Sequence, residues 1–283
     1  MDVQVGGVGC PASRSDQSKE RAYEHDHRPA RTGAAGTRGL AGTEAPLLTY
    51  CDDATGERVE LSASALAGWA SRTAALLHEG CGLGAGSRMA VLLPPHWQTA
   101  AVLLGAWSAG IAVSFRLAAT AGLTPVGDET GPLDAVFAAR SRIGSWLEDV
   151  PEAPHRFALG LAPDGAPLAE VPDGYRDFIA EVARYTDSLP GYAPVRRTDA
   201  ASADGTTFRE WGGVAHGLTE LIDLRPGERL LVDAGRYEHP VQWLLTPLAA
   251  GASVVLCANL DPSGLHARAA AEGADRVLGV GRA

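Results

Sequence analysis

The hydrophobic and polar positions divide the chain, beyond residue 45, into short strands that alternate with helices. Apolar runs at 47–51 and 58–61, with a turn at 53–56 between them, predict a hairpin. Ser62 is placed to cap the helix whose apolar spacing follows it. Further strands are predicted over 88–93, 111–115, 134–138, 156–160, 229–232, 253–257 and 276–280.

Between these strands the apolar spacing predicts helices over 96–109, 175–189, 214–224, 240–250 and 262–272. Strands that alternate with helices favour an α/β fold with mostly parallel sheets flanked by helices. Residues 83–91 and 224–232 share one pattern, and each leads through a strand and a helix to a further strand. The chain is therefore predicted to have two similar halves, about 46–160 and 175–283, in one α/β domain over 46–283.

Residues 1–45 have no periodicity and almost no large apolar side chains, which predicts a disordered tail. No segment reaches the roughly 18 uninterrupted apolar residues of a membrane helix, and the N-terminus has no apolar signal region. We therefore expect a cytoplasmic protein that does not contact a membrane. The net charge of −10 disfavours nucleic acid as a partner.

The basic residues restrict the chemistry, because 23 of the 24 are arginine and Lys19, in the tail, is the single lysine. A reaction that needs a lysine in the folded body therefore has none to use. The four cysteines are far apart and form no CxxC pair, so we expect no metal site.

Six segments of the chain are informative when taken in order, and they are 48–50, 61–62, 84–94, 106–110, 224–229 and 246–256. Together they resemble the N-terminal part of the adenylate-forming (AMP-binding) enzymes, which include acyl- and aryl-CoA synthetases, peptide-synthetase adenylation domains and luciferases. The resemblance covers roughly 47–280 and is closer still to a group of short actinobacterial proteins. It implies a truncated form of the family's N-terminal subdomains.

The family's phosphate loop reads Ser-Gly-Thr-Thr-Gly-x-Pro-Lys, and here Gly205, Thr206 and Thr207 match it. Asp204, Phe208, Glu210 and Trp211 stand where the family has Ser, Gly, Pro and Lys. One interpretation is that Thr206 or Thr207 caps the following helix, with Glu210 at capping-box spacing from Thr207. The other is that the helix N-terminus still binds an anion.

Three histidines are further candidates. His216 lies one residue closer to the loop than the family's histidine, and the alternative is an ordinary position on a helix surface. His239 falls where the family often has a pocket-lining histidine or aromatic residue, with Asp233 as a candidate carboxylate partner. His96 is either a helix cap or a ligand contact. The candidate cofactor-binding residues are therefore Gly205, Thr206, Thr207, His216 and His239.

The sequence has no counterpart of the family's Tyr-Gly-x-Thr-Glu stretch, ribose-binding Asp, catalytic lysines or C-terminal lid, so no catalytic residue is predicted. We expect a non-catalytic binding or regulatory module, with a protein partner or weak residual binding of ATP, AMP or an acyl group. One alternative is an acyl- or aryl-acid ligase of the CoA synthetase type, completed by a partner chain. Another is an assembly subunit with no small ligand.

Overall fold

The computed structural model describes residues 45–120, 131–146, 149–186 and 194–282. The strands are β1 (Pro46–Asp52), β2 (Glu57–Ser62), β3 (Arg88–Leu92), β4 (Ala112–Phe115), β5 (Ala135–Ala139), β6 (His155–Leu159), β7 (Arg176–Asp177), β8 (Arg229–Asp233), β9 (Ser253–Ala258), β10 (Arg276–Val277) and β11 (Gly281–Arg282). The helices are α1 (Ala63–Ala75), α2 (Trp97–Ser108), α3 (Phe178–Val182), α4 (Phe208–Leu221), α5 (Thr246–Ala250) and α6 (Leu265–Ala271). A π-helical turn, Leu76–Gly80, continues α1, and another, Val241–Leu245, leads into α5.

These strands form two sheets. One has the order β11-β10-β8-β9-β1-β2 and the other the order β4-β3-β5-β6-β7. Every pairing in the second sheet is parallel, and in the first only the β1–β2 and β10–β11 pairs are antiparallel. The predicted α/β fold with mostly parallel sheets flanked by helices is therefore confirmed.

The buried elements are those whose sequences are apolar throughout. All five residues of β5 are buried, as expected for a central strand covered on both faces. In α2, every residue from Trp97 to Trp107 is buried, because the helix is apolar on every side apart from Gln98 and Thr99, whose side chains donate to the carbonyls of Ala162 and Pro94. Ser62 caps α1 as predicted, and its hydroxyl accepts a hydrogen bond from the backbone N–H of Ala65 at 3.1 Å.

The predicted internal repeat has a counterpart in hydrogen bonding at the start of each half's first parallel strand. In β3, the backbone N–H of Arg88 donates to the carboxylate of Asp134 at 2.8 Å. In β8, the N–H of Arg229 donates to the carboxylate of Asp275, also at 2.8 Å, and in both cases the two residues are 46 positions apart. The two stretches that resemble each other in sequence thus begin equivalent strands in the two sheets.

The β1–β2 hairpin does not pair with the sheet that contains β3. Instead β1 lies parallel to β9, with Leu48 opposite Val254, so the hairpin belongs to the sheet of the second half. Sheet membership alone does not test whether 46–160 and 175–283 are separate units, and that division stays a prediction. The predicted disordered tail lies outside the described residues, apart from residue 45.

The prediction of one helix over 175–189 is wrong. Arg176 and Asp177 form a strand that pairs with β6, and the helix begins only after Asp177, whose carboxylate accepts from the N–H of Ala180 at 2.7 Å. The guanidinium of Arg176 lies over the ring of Phe157, 4.3 Å from its centroid. This cross-strand contact holds the segment in an extended conformation that the helical spacing of its apolar residues does not indicate.

Two further boundaries differ from the prediction. Helix α4 begins at Phe208 and not at residue 214, because Thr207 caps it. The strand predicted over 276–280 is β10, which stops at Val277, and a turn with Gly279 at φ +83° then leads into β11. Within the described ranges, no helix combines the length and the apolar character needed to cross a bilayer.

The contact between α1 and α2 depends on the glycine at position 105. A Cβ atom there would lie 2.6 Å from Cβ of Thr73 and 2.8 Å from the carbonyl oxygen of Ala70. We therefore expect Gly105→Ala to lower the free energy of unfolding by about 1–3 kcal/mol, because the two helices must move apart. Urea denaturation measures the change.

Gly217 provides the matched control, since it also lies inside a helix but a Cβ atom there meets no atom within 4 Å. Gly217→Ala should raise the free energy of unfolding by about 0.5–1 kcal/mol through helix propensity alone. Equal effects of the two substitutions would contradict the proposed close packing at position 105.

Candidate functional site

The degenerate phosphate loop is held against the edge of the second sheet. The backbone N–H of Val113, in β4, donates to the carbonyl of Ala201 at 3.0 Å, and the N–H of Ala203 donates to the carbonyl of Val113 at 3.1 Å. The indole Nε1–H of Trp107 donates to the same carbonyl of Ala201 at 3.0 Å. The segment before the loop therefore has a fixed register against β4, which otherwise would end the sheet.

The loop ends in a capping box, which confirms the helix-cap interpretation for Thr207. The Thr207 hydroxyl accepts from the N–H of Glu210 at 3.3 Å, and the Glu210 carboxylate accepts from the N–H of Thr207 at 2.8 Å. The hydrogen bonds that the Glu210 carboxylate accepts from the N–H and from the hydroxyl of Thr207 hold the pKa of Glu210 below its usual value. The carboxylate that replaces the family's proline is thus part of the helix start.

The backbone N–H groups of the loop are already engaged. Each one from position 205 to position 211 donates to an acceptor within the chain. In a phosphate-binding loop the corresponding groups point at the ligand. The acceptors are, in order from Gly205 to Trp211, the carbonyl of Ser202, Asp204 Oδ1, Glu210 Oε2, the carbonyls of Asp199 and Arg197, Thr207 Oγ1 and the carbonyl of Thr207.

Trp211, in the first turn of α4, packs among aromatic rings. Its ring centroid lies 5.0 Å from that of His239 and 6.4 Å from that of Phe115. The rings of Phe115 and His239 are 5.2 Å apart. The indole N–H donates to the hydroxyl of Ser202, which ties the ring back to the loop. We call Phe115, Trp211 and His239 the aromatic cluster.

The half-buried His239 is held in its neutral form. Burial lowers its pKa, and the negative charge of Asp204 opposes this effect only in part. The Nδ1 atom lies 3.3 Å from the N–H of Val241 and accepts its hydrogen bond, so the ring proton of the neutral form is placed on Nε2. The suggested partner Asp233 instead accepts from the N–H of Gly235 at 3.0 Å.

The structure brings some of the predicted site residues together and separates others. Gly205, at φ +90°, and Thr206 lie in the loop turn, and His239 reaches the loop through Trp211. His216 lies on the exposed surface of α4, apart from the aromatic cluster. Ligand binding by any of these five candidate residues stays a prediction.

His96 is the N-cap of α2, as one of its two interpretations predicted. Its Nδ1 atom accepts from the backbone N–H of Gln98 at 3.2 Å. His96 and His239 therefore use the same ring atom in the same way, each after the carboxyl end of a strand in its own half. Among the described residues, no group of three or more His, Cys, Asp or Glu could hold a metal ion.

Sequence reasoning missed the residues that complete the aromatic cluster. Phe115 was assigned only to a strand, and Trp211 was considered only as a lost lysine. The carboxylate of Glu238, next to His239, accepts from the N–H groups of Ala118 and Ala119 at 2.6 and 3.2 Å and fixes the loop after β4. A signal was available, since Phe115 is the last residue of one predicted parallel strand and His239 follows another, and ligand sites of α/β sheets form at such carboxyl ends.

Comparison with known proteins supports the fold. An acetoacetyl-CoA synthetase from Streptomyces lividans matches with a TM-score of 0.65 at 19% identity, over 87% of this chain and 42% of its own. An acyl-CoA synthetase of Brucella canis gives a TM-score of 0.68 at 19% identity, over 87% of this chain and 46% of its own. A fatty acyl CoA synthetase of Mycobacterium tuberculosis gives a TM-score of 0.61 at 16% identity, over 87% of this chain and 48% of its own. The chain thus has the adenylate-forming acyl-CoA synthetase fold and spans less than half the length of these enzymes.

At the level of sequence, one relative is much more similar. A "TIGR03089 family protein" of Mycobacterium tuberculosis is 36% identical over 250 residues, which cover 82% of this chain and 91% of that protein. The chain belongs to this family. No protein-family model matches the chain.

The capping box predicts the effect of a substitution at its first residue. Thr207→Ala removes the hydroxyl that accepts from the N–H of Glu210, and we expect it to lower the free energy of unfolding by about 1 kcal/mol. Thr207→Ser is the matched control, because serine also caps helices, and should stay close to the wild-type value. Chemical denaturation of both variants checks the difference, and equal losses would contradict the hydroxyl's role.

The same motif predicts a dependence of stability on pH. The folded-state pKa of Glu210 is depressed, so its contribution is present above the unfolded-state pKa and is lost as the pH falls through the folded-state pKa. The difference in free energy of unfolding between wild type and Glu210→Gln should therefore shrink between a pH of about 6 and a pH of about 3. A difference that stays constant over this range would show that the carboxylate charge is not involved.

Proposed function

We propose that this protein is a non-catalytic member of the adenylate-forming fold, which acts as a binding or regulatory module and does not form acyl adenylates. The single observation that carries this proposal is the state of the phosphate loop, whose N–H groups from Gly205 to Trp211 all donate within the chain. A polyphosphate would have to break these hydrogen bonds before it could use the same donors.

Electrostatics supports the same proposal. Asp204 and Glu210 place two carboxylates in the loop, and both already accept hydrogen bonds from its backbone. Like charge at short range disfavours a bound polyphosphate, and the lysine that would offset it is replaced by Trp211. The loop retains one cation, Arg209, whose charge acts on the neighbouring Glu210, so the two carboxylates outnumber it where phosphoryl chemistry requires charge neutralisation.

The aromatic cluster supports binding of a different kind. The neutral, half-buried ring of His239 and the half-buried rings of Phe115 and Trp211 form a surface that suits an apolar or aromatic group better than a phosphate chain. The module would then bind an acyl or aromatic group but would not bind a nucleotide.

The test is thermal melting of the full chain with about 10 mM ATP, AMP or CoA in the presence of Mg²⁺. A nucleotide with a Kd one tenth of its concentration would add about 1.4 kcal/mol to the free energy of unfolding. We expect no rise in Tm with ATP or AMP. A clear rise, or release of pyrophosphate from ATP with a carboxylic acid, alone or with a partner chain, would contradict the proposal.

A variant in which three loop residues are replaced by those of the adenylate-forming enzymes provides a second test of nucleotide binding. The triple variant Asp204→Ser, Phe208→Gly and Trp211→Lys restores three family residues and removes one like charge. Its Tm should rise with ATP if the loop residues alone explain the loss. Trp211→Phe is the matched control, which keeps an aromatic ring and adds no cation, and its Tm should not respond to ATP.

One observation favours a second candidate, an assembly subunit without a small ligand. Val214 and Leu221 lie two turns apart on one face of α4 and are 47% and 78% exposed. Sedimentation analysis over a range of protein concentrations tests this candidate. Self-association that Leu221→Glu abolishes would support it, whereas a monomer at all concentrations would leave the binding module as the better proposal.

A further inference from the structure

A cavity of about 520 Å³ lies away from the phosphate loop and shares no lining residue with the aromatic cluster. It is formed where the carboxyl ends of β1, β3 and β6 approach one another, at the junction of the two sheets. Ligands of open α/β sheets bind at such carboxyl ends. The lining includes Tyr50, Asp52, Glu57, His96, Leu161 and Pro163.

His96 has a buried polar atom without a hydrogen-bond partner at the wall of this cavity, directed at Glu57. The residue is 1% exposed, and its Nδ1 atom is occupied as the acceptor of the helix cap. The proton of the neutral ring is therefore on Nε2, and that N–H has no hydrogen-bond acceptor. Burial lowers the pKa of His96 to about 3, which keeps the ring neutral. A buried N–H of this kind is costly unless a ligand or water satisfies it.

Glu57 is the second polar group without a partner. Its side chain is 9% exposed, and Oε1 accepts no hydrogen bond, although it lies 3.5 Å from Nε2 of His96. In the hairpin register Glu57 stands directly opposite Asp52, so two carboxylates face each other across neighbouring strands. Like charges in this position destabilise a hairpin, and burial together with Asp52 raises the pKa of Glu57.

The charge of the cavity indicates the charge of its ligand. Among the described residues that line it, Asp52 and Glu57 are acidic, and none is a lysine or an arginine. A metal ion does not fit, because Nε2 of His96 carries a proton while Nδ1 caps the helix, and a ligating imidazole needs an unprotonated nitrogen. An organic ammonium group fits, since it supplies N–H donors for the carboxylates and can lie against the ring of Tyr50.

We propose that this cavity binds a small primary amine that carries a hydroxyl or carbonyl oxygen close to its nitrogen. The ammonium group donates to Glu57 and Asp52, and the oxygen accepts from Nε2–H of His96. The apolar lining at Leu161 and Pro163 contacts the carbon part of the ligand. This site does not rest on the proposed loss of adenylate formation, because it uses none of the loop residues.

The probe is 2-aminoethanol, titrated into the full chain and followed by NMR of the histidine side chains labelled with ¹⁵N. We expect saturable binding that shifts the His96 signal, identified by its loss in His96→Asn. The first control probe, 1,2-ethanediol, has a hydroxyl in place of the ammonium group and carries no charge. The second, tetramethylammonium, carries the charge but has no N–H donor. Both should bind at least about tenfold more weakly, because 1,2-ethanediol loses the charge of the ammonium group and tetramethylammonium loses its hydrogen bonds to the carboxylates.

Substitutions inside and outside the cavity distinguish binding at this site from a general effect of the protein's negative charge on binding of an amine. Glu57→Gln should weaken binding of 2-aminoethanol about tenfold and raise the Tm of the unliganded protein, because a buried like charge is removed. Glu60→Gln, on the same strand but outside the cavity, is the matched control and should bind as the wild type does. His96→Asn keeps a side chain that caps helices and should weaken binding without unfolding the protein.

Several results would overturn the proposal. These are no saturable binding of 2-aminoethanol, equal binding of 1,2-ethanediol, or unchanged affinity in a folded Glu57→Gln variant. If Glu57→Gln does not fold, the affinities of the wild-type protein for the three probes still test whether the cavity selects an ammonium group with N–H donors. A rise in Tm with Mg²⁺ or Zn²⁺ that Glu57→Gln removes would instead identify a metal site and contradict the amine.

Discussion

The parallel pairing of β1 with β9 is the constraint on which the other features of this structure depend. It joins residues that are about two hundred positions apart, such as Leu48 and Val254, and it places the N-terminal hairpin in the sheet of the second half. The loop-closure entropy of such a contact must be offset by burial, and both strands are almost wholly buried. Once β1 is fixed there, the carboxyl ends of strands from both sheets approach one another.

The hydrogen bonds of Arg88 with Asp134 and of Arg229 with Asp275 are equivalent, and they lie at the starts of β3 and β8, one in each sheet. A histidine whose Nδ1 accepts a hydrogen bond from a backbone N–H two residues later follows both β3 and β8, yet the two histidines have different surroundings. His239 meets the aromatic cluster, whereas His96 meets the hairpin carboxylate of Glu57. The repeat thus supplies the same local geometry twice, and the contacts with other segments decide what each copy can bind.

The loop at 204–211 combines a glycine turn and a helix start with side chains that satisfy its own N–H groups. Gly205 retains a positive φ, and Thr207 still begins the helix. The replaced residues do not leave a gap, because Asp204 and Glu210 accept hydrogen bonds from the loop's own N–H groups and Trp211 packs on His239. Asp204, Glu210 and Trp211 therefore each stabilise the loop in its present conformation.

The sequence predicted most strands, because their apolar runs are unbroken, and it predicted the caps at Ser62 and Thr207, because a capping hydrogen bond spans only three residues. It did not predict the strand at Arg176, whose extended form depends on pairing with β6 and on a cation–π contact with Phe157. The candidate loop residues could be found from the sequence because they are adjacent in the chain. The partners of Trp211 could not, because Phe115 and His239 come from distant segments.

The sequence by itself determined the fold class, the local caps and the absence of a lysine in the folded body, since each follows from residue type and short-range spacing. The tertiary structure alone decided which side chains meet. It brought Trp211 to Phe115 and His239, and it placed His96 beside a glutamate from a hairpin in the other sheet. These contacts join segments far apart in the chain, so their geometry depends on strand order and register, which short-range patterns do not specify.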